Sequence, residues 1–283
     1  MRKFALILLA AALPLSAQQA QQTPQVKYPR PSPKSTLTQS IGNTDVTINY
    51  SRPGVKGRPV WGALVPYDQV WRTGANEATT IAFSDDVTIN GQKLAKGTYS
   101  LHSVPSKSGD WEVIFNSVAD QWGSYSYDKA KDVVRVKVKA EKAPFTEWMT
   151  FEVPEVTTDT GRVVLRWESV AVPFTVNTDT TSKTLASARE AIGGAAESDW
   201  QTPYRAASFA FDAGVTGSDA TTWNERSLKV QENASNLWLK ARMQAKAGDK
   251  AAARATAQKA IDKATPQQAG LVTEIKKYQE MWK

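Results

Sequence analysis

The side chains best equipped for chemistry gather in residues 50–80, YSRPGVKGRPVWGALVPYDQVWRTGANEATT, where Arg52, Lys56, Arg58, Arg72, Asn76 and Glu77 stand among Tyr50, Trp61, Tyr67 and Trp71. Guanidinium groups grip carboxylate, sulfate or phosphate through paired N–H donors. Gly54, Gly57, Gly62 and Gly74 would let backbone N–H groups approach the same anion, although neither a P-loop nor a dinucleotide fingerprint is present. Two readings stand. Charges hemmed in by aromatics need partners, so an Arg72–Glu77 or Arg52–Glu77 pair pins the loop; otherwise the basic residues line a pocket for an anionic, glycan or peptide ligand.

Among ten tryptophans, Trp61, Trp71 and Trp122 fall in irregular segments beside glycine and are candidates for a platform that stacks on sugar rings. Trp111 and Trp167 alternate with apolar neighbours and read as core. The binding candidates are therefore Arg52, Lys56, Arg58, Trp71, Arg72, Asn76, Glu77 and Trp122. His102, the one histidine, alternates onto the face of Ser100 and is predicted to face solvent; with no GxSxG elbow, a Ser-His-Asp triad is disfavoured.

The absence of cysteine excludes disulfides and thiolate nucleophiles, and a single histidine excludes a zinc site of the usual multi-His or Cys kind. Asp85, Asp86 and Asn90 lack EF-hand spacing and read as a solvated turn, so neither a metal nor a cofactor is expected. Glu77, Glu112, Asp120 and Asp128 leave open a carboxylate-dependent hydrolase of glycans or envelope material, which depends on separations that spacing along the chain does not give.

These groups must be positioned by a chain of distinct parts. Arg2 and Lys3 precede an apolar run over residues 4–15, then Ser16 and Ala17, the layout of a signal peptide over residues 1–17. No later stretch reaches transmembrane length, which predicts a periplasmic or secreted protein. Cleavage after Ala17 takes two of the 35 basic side chains and leaves a spread-out balance of +5 against 28 acidic ones, poor grounds for a nucleic-acid partner. Residues 18–34 are Gln- and Pro-rich and read as a linker.

From residue 35 to residue 176, short segments alternate apolar and polar: Val46, Ile48, Tyr50; Thr79, Ile81, Phe83; Trp111, Val113, Phe115; Val134, Val136, Val138; Val163, Leu165, Trp167. Asn90-Gly91 between Ile89 and Gln92 predicts a hairpin, because a type I′ turn needs positive φ at both central residues. The pattern predicts an α+β chain: an antiparallel β-sandwich followed by a helical region over residues 177–283. Helices are predicted over residues 181–192, 203–213 and 266–282. Leu237, Ala241 and Ala245, then Ala253, Ala257 and Ala260 across Gly248-Asp249, give a tetratricopeptide-like hairpin suited to a protein partner.

The runs Tyr50-Ser51-Arg52-Pro53, Val55-Lys56-Gly57-Arg58, Leu64-Val65-Pro66-Tyr67 and Val70-Trp71-Arg72-Thr73-Gly74-Ala75-Asn76-Glu77-Ala78-Thr79 are followed by Gly97-Thr98-Tyr99-Ser100-Leu101, Trp111–Asn116 and Gln121-Trp122-Gly123. Together they resemble the exported bacterial family known as domain of unknown function 2911, over residues 34–176. The resemblance implies a Gram-negative periplasmic or extracellular address. It supplies no catalytic residues, and the helical tail lies outside it. The reading that follows is an exported, non-enzymatic module that binds a ligand or partner, the alternative being the hydrolase.

Overall fold

The computed structural model describes residues 28–215 and 219–283. The predicted signal peptide and residues 18–27 of the predicted linker lie outside the described residues. Residues 32–283 form one unit; of the other, residues 28–31 are described, and they are exposed.

The first sheet has six antiparallel strands: β1 (Lys34–Ile41), β2 (Thr44–Ser51), β3 (Thr79–Phe83), β6 (Gly97–Val104), β7 (Trp111–Asn116) and β8 (Asp132–Val138), in that spatial order. The second, in the order β5-β4-β10-β9, is built from β5 (Gln92–Leu94), β4 (Val87–Ile89), β10 (Thr160–Asn177) and β9 (Glu141–Val156). Alternation puts Ile48, Ile81, Leu101 and Phe115 of the first sheet into one core with Phe151, Leu165, Trp167 and Phe174 of the second. Tyr50 meets Phe151 edge-on at 5.0 Å and Phe115 meets Phe174 at 5.6 Å. Asn90 (φ 46) and Gly91 (φ 87) form the predicted hairpin turn, and the Asn90 Oδ1 accepts from the Thr175 N–H at 2.8 Å, which ties the hairpin to β10.

Six helices follow: α1 (Thr180–Gly194), α2 (Gln201–Asp212), α3 (Asp219–Val230), α4 (Ala234–Lys246), α5 (Lys250–Asp262) and α6 (Ala269–Met281). They bury Leu185, Ala207, Ala210 and Trp223 in one cluster and Leu237, Trp238, Ala241, Ala257 and Ile275 in another. The predicted start at Pro203, capped by Thr202, moves two residues outward to Gln201, where Asp199 accepts from the N–H groups of Gln201 and Thr202 and from the Thr202 hydroxyl. Thr265 and Gln268 form a capping box, with Pro266 in the first turn, but that turn is a 3-10 helix and the α-helix begins only at Ala269.

The first helix is fastened to the sandwich. Its N-cap residue Asp179 makes no side-chain cap; Asp159, from the β9–β10 turn, accepts instead from the Thr181 N–H at 2.7 Å and its hydroxyl at 2.6 Å. Lys183 donates to the Asp86 carbonyl at 3.0 Å. Gly42 runs so close beneath Thr180 that a Cβ there would lie 2.1 Å from the Thr180 Oγ1.

Candidate functional site

Residues 52–78 cross from β2 to β3 without forming a strand of their own, and their path is bent by four non-glycine residues with positive φ: Lys56 (50°), Asp68 (59°), Thr73 (52°) and Asn76 (60°). A β-branched residue in the left-handed region, as at Thr73, is an outlier that surrounding contacts must enforce. They do so here: the Thr73 hydroxyl donates to the Ser103 Oγ at 3.0 Å, and the Thr73 carbonyl accepts from the Thr79 hydroxyl at 2.7 Å. Strain held this firmly marks a segment whose shape matters more than its local stability.

Tryptophans fix the middle of the segment. Trp61 packs edge-on against Trp71, Trp111 and Trp167 with centroids at 5.7, 4.8 and 5.6 Å, while Trp71 stacks on Trp167 at 5.8 Å. Trp61 and Trp71, candidates for a stacking platform, are half-buried against the two predicted core tryptophans, where the indoles gain both buried area and ring contacts. Trp167 sits at a bulge of β10, flanked by register shifts and followed by Glu168 at φ 55.

After β7 the chain folds back as a strap over residues 117–131. Gln121 donates to the Ser100 Oγ at 3.0 Å, its carbonyl accepts from the Ala78 N–H at 3.0 Å, the Gly123 N–H donates to the Asn76 carbonyl at 3.1 Å, and the Ser124 hydroxyl donates to the Val70 carbonyl at 3.2 Å. The strap thereby closes one side of a cleft of about 510 Å³ whose other walls come from residues 53–75, Ser32 and Trp167. Arg58, Trp71, Arg72, Tyr125 and Trp167 line it, and no carboxylate does among the described residues.

Neither of its arginines faces a carboxylate in the cleft. Arg58 is steadied by the carbonyls of Gly54 at 2.7 Å and Val55 at 3.1 Å. Arg72 makes no ion pair among the described residues, and its buried Nε has no hydrogen-bond partner. The predicted Arg72–Glu77 and Arg52–Glu77 pairs are absent: Glu77 takes Lys34 at 3.2 Å, and the Arg52 Nε donates to the Met149 carbonyl at 2.8 Å. A guanidinium with unspent donors in an acid-free cleft is suited to an incoming anion.

Of the predicted binding residues, Arg58, Trp71 and Arg72 therefore meet in the cleft. Arg52 and Lys56 turn to β9 instead: the Lys56 N–H donates to the Glu147 carboxylate at 2.9 Å, and its ammonium lies 5.6 Å from the Trp148 ring. Asn76 donates to the Ser32 carbonyl at 3.3 Å, and Trp122, bridged to Glu77 through the backbone, is 58% exposed. Tyr125 and Trp167 were not among the candidates. The one local sign of Tyr125 is its place beside Trp122-Gly123 in a segment without strand alternation.

A second polar cluster lies under the strap, on the outer face of β6 and β7. His102, predicted to face solvent, is fully buried there because Tyr127 covers it edge-on at 5.1 Å; its Nε2 meets the Ser100 Oγ at 3.1 Å and its Nδ1 has no partner among the described residues. Burial pulls its pKa down to about 4 against the opposing charge of Asp132. Asp132 accepts from the Tyr127 hydroxyl at 2.6 Å and from Arg135 at 2.9 Å, and Arg135 also pairs with Glu112. Burial first, then the bond to Asp132, push the Tyr127 phenol up to about 12.

Fold and site together define an open antiparallel β-sandwich with a helical extension, carrying a strap-walled arginine cleft. The chain belongs to the family described as protein of unknown function (DUF2911), whose model matches residues 32–176. No curated protein and no solved structure matches the chain.

Proposed function

We propose that this is an exported, non-enzymatic binding module whose cleft receives an anionic group on Arg58 and Arg72. The observation that carries the reading is Arg72 itself: a cation lining a sizeable acid-free cleft, its Nε buried and unpartnered. Such a group is costly to keep unless something completes its bonds, and a bound anion does so. The backbone strain at Thr73 next to it points the same way. The exported address rests on Arg2, Lys3 and the apolar residues 4–15.

The hydrolase reading finds less support. Glu77 is engaged with Lys34, Glu112 with Arg135, and Asp128 caps the turn Lys129–Lys131, so these carboxylates do not converge on the cleft. The helical region adds a second contact surface for a protein partner, in keeping with the tetratricopeptide-like pairing of α4 and α5 through Ala241, Ala253 and Ala257. Binding of the protein to an array of acidic and neutral glycans and peptides tests the function. Retention of acidic probes that Arg72→Ala abolishes supports it, and retention of none contradicts it.

A further inference from the structure

The ligand class follows from which groups in the cleft still have bonds to give. The backbone is largely spent. The Trp71 N–H and carbonyl pair with Ser103 at 2.8 and 2.9 Å, and the Val65 N–H and carbonyl pair with Val60 and Gly62 at 2.9 and 2.8 Å. The Arg72 carbonyl takes the Thr79 N–H at 3.2 Å, the Val70 carbonyl takes the Ser124 hydroxyl, and the Gly74 carbonyl takes the Trp71 indole N–H at 3.1 Å. An extended peptide reads an edge through main-chain bonds, and these groups do not offer one. Recognition is left to side chains.

Two of those side chains sit within one residue's width of each other. Gly123, at φ 68, leaves the space that a Cβ would take 3.0 Å from the Tyr125 ring and 3.1 Å from the Arg72 Nη1. Tyr125 is 83% exposed while lining the cleft. A ligand that touches the Arg72 guanidinium therefore has a flat aromatic face beside it. A small inorganic anion would use the guanidinium and leave the ring idle. A sugar acid uses both, with C–H groups on the ring and its anion on the guanidinium.

We infer that the cleft takes an acidic saccharide, its carboxylate or sulfate on Arg72 and Arg58 and one ring face on Tyr125. The inference rests on the anion-binding reading and adds the class of ligand.

Titration calorimetry of the full chain tests it with four probes: trigalacturonate, its methyl ester, a heparin-derived tetrasaccharide and a triglutamate peptide. The expected result is binding of at least one acidic saccharide, with the ester and the peptide weaker. Arg72→Gln should lower the saccharide affinity about tenfold or more, and Tyr125→Ala, at an exposed position that leaves folding intact, about three- to tenfold. The carboxylated and sulfated probes tell the two anion sources apart. Equal binding of the peptide with no effect of Tyr125→Ala overturns the saccharide class while the anion reading stands. Failure of every acid, the peptide included, overturns the anion reading as well.

Discussion

Lys34 holds the Glu77 carboxylate at 3.2 Å, five positions along the chain from an Arg72 that has no acidic partner among the described residues. The Glu77 carboxylate is thus occupied by a cation from β1, and the cleft keeps its positive character. The Arg72 guanidinium lies against the strap, where a Cβ on Gly123 would stand 3.1 Å from its Nη1, without a counter-charge among the described residues.

Stability should separate this arginine from a structural one. Arg72→Gln removes no ion pair and relieves a buried, unpartnered Nε, so denaturant unfolding should find it at least as stable as the ligand-free parent. Arg135→Ala strands Asp132 and Glu112 in a partly buried cluster and should cost about 2–3 kcal/mol. Equal losses for the two would contradict the distinction.

The buried imidazole makes a pH prediction with a definite sign. The folded pKa of His102, about 4, lies below the unfolded value of about 6.5, so the unfolded chain takes the proton first and the folded state loses stability as pH falls from 6.5 towards 4. The contribution is fully present above pH 6.5 and amounts to about 3 kcal/mol across that window. His102→Phe should flatten this part of the profile, and the difference between the two proteins' unfolding free energies at several pH values isolates it from the carboxylates.

The tryptophans should fall into two groups. Trp167→Ala removes the fully buried indole that packs on both Trp61 and Trp71 and should cost about 3–5 kcal/mol. Trp122→Ala, at a 58% exposed position, should cost less than about 0.5 kcal/mol. Thermal melts of the two variants check the contrast.

The sequence was most legible where one periodicity met one environment. β2, β3, β7 and β8 alternate because one face meets the core, and Asn90-Gly91 marks its own turn. β1 went unread because Thr36, Thr38 and Ser40 share an exposed edge strand with Leu37, leaving no apolar alternation to see. β9 carries Pro144 and Pro154, which argue against a strand unless it lies at an edge, as it does. α3 hides behind buried polar residues: Asn224 donates to the Asn236 carbonyl at 3.0 Å, and Asn236 to the Ser227 Oγ at 3.0 Å, a network that hydrophobic periodicity cannot reveal.

The site was half legible for the same reason. Arg58, Trp71 and Arg72 are close in sequence and share the cleft. Tyr125 reaches them only because residues 117–131 fold back, a path set by bonds from Gln121, Gly123 and Ser124 to residues 70–78 and to Ser100. His102 was misplaced because alternation identifies the outer face of β6 but not the strap that covers it.

The most direct test of the central claim is a crystal structure of the protein with a bound acidic oligosaccharide. The account predicts an anionic oxygen about 2.8 Å from the Arg72 guanidinium and a sugar ring over Tyr125. An Arg72 closed on a carboxylate of its own chain, or the saccharide held away from this cleft, would contradict it.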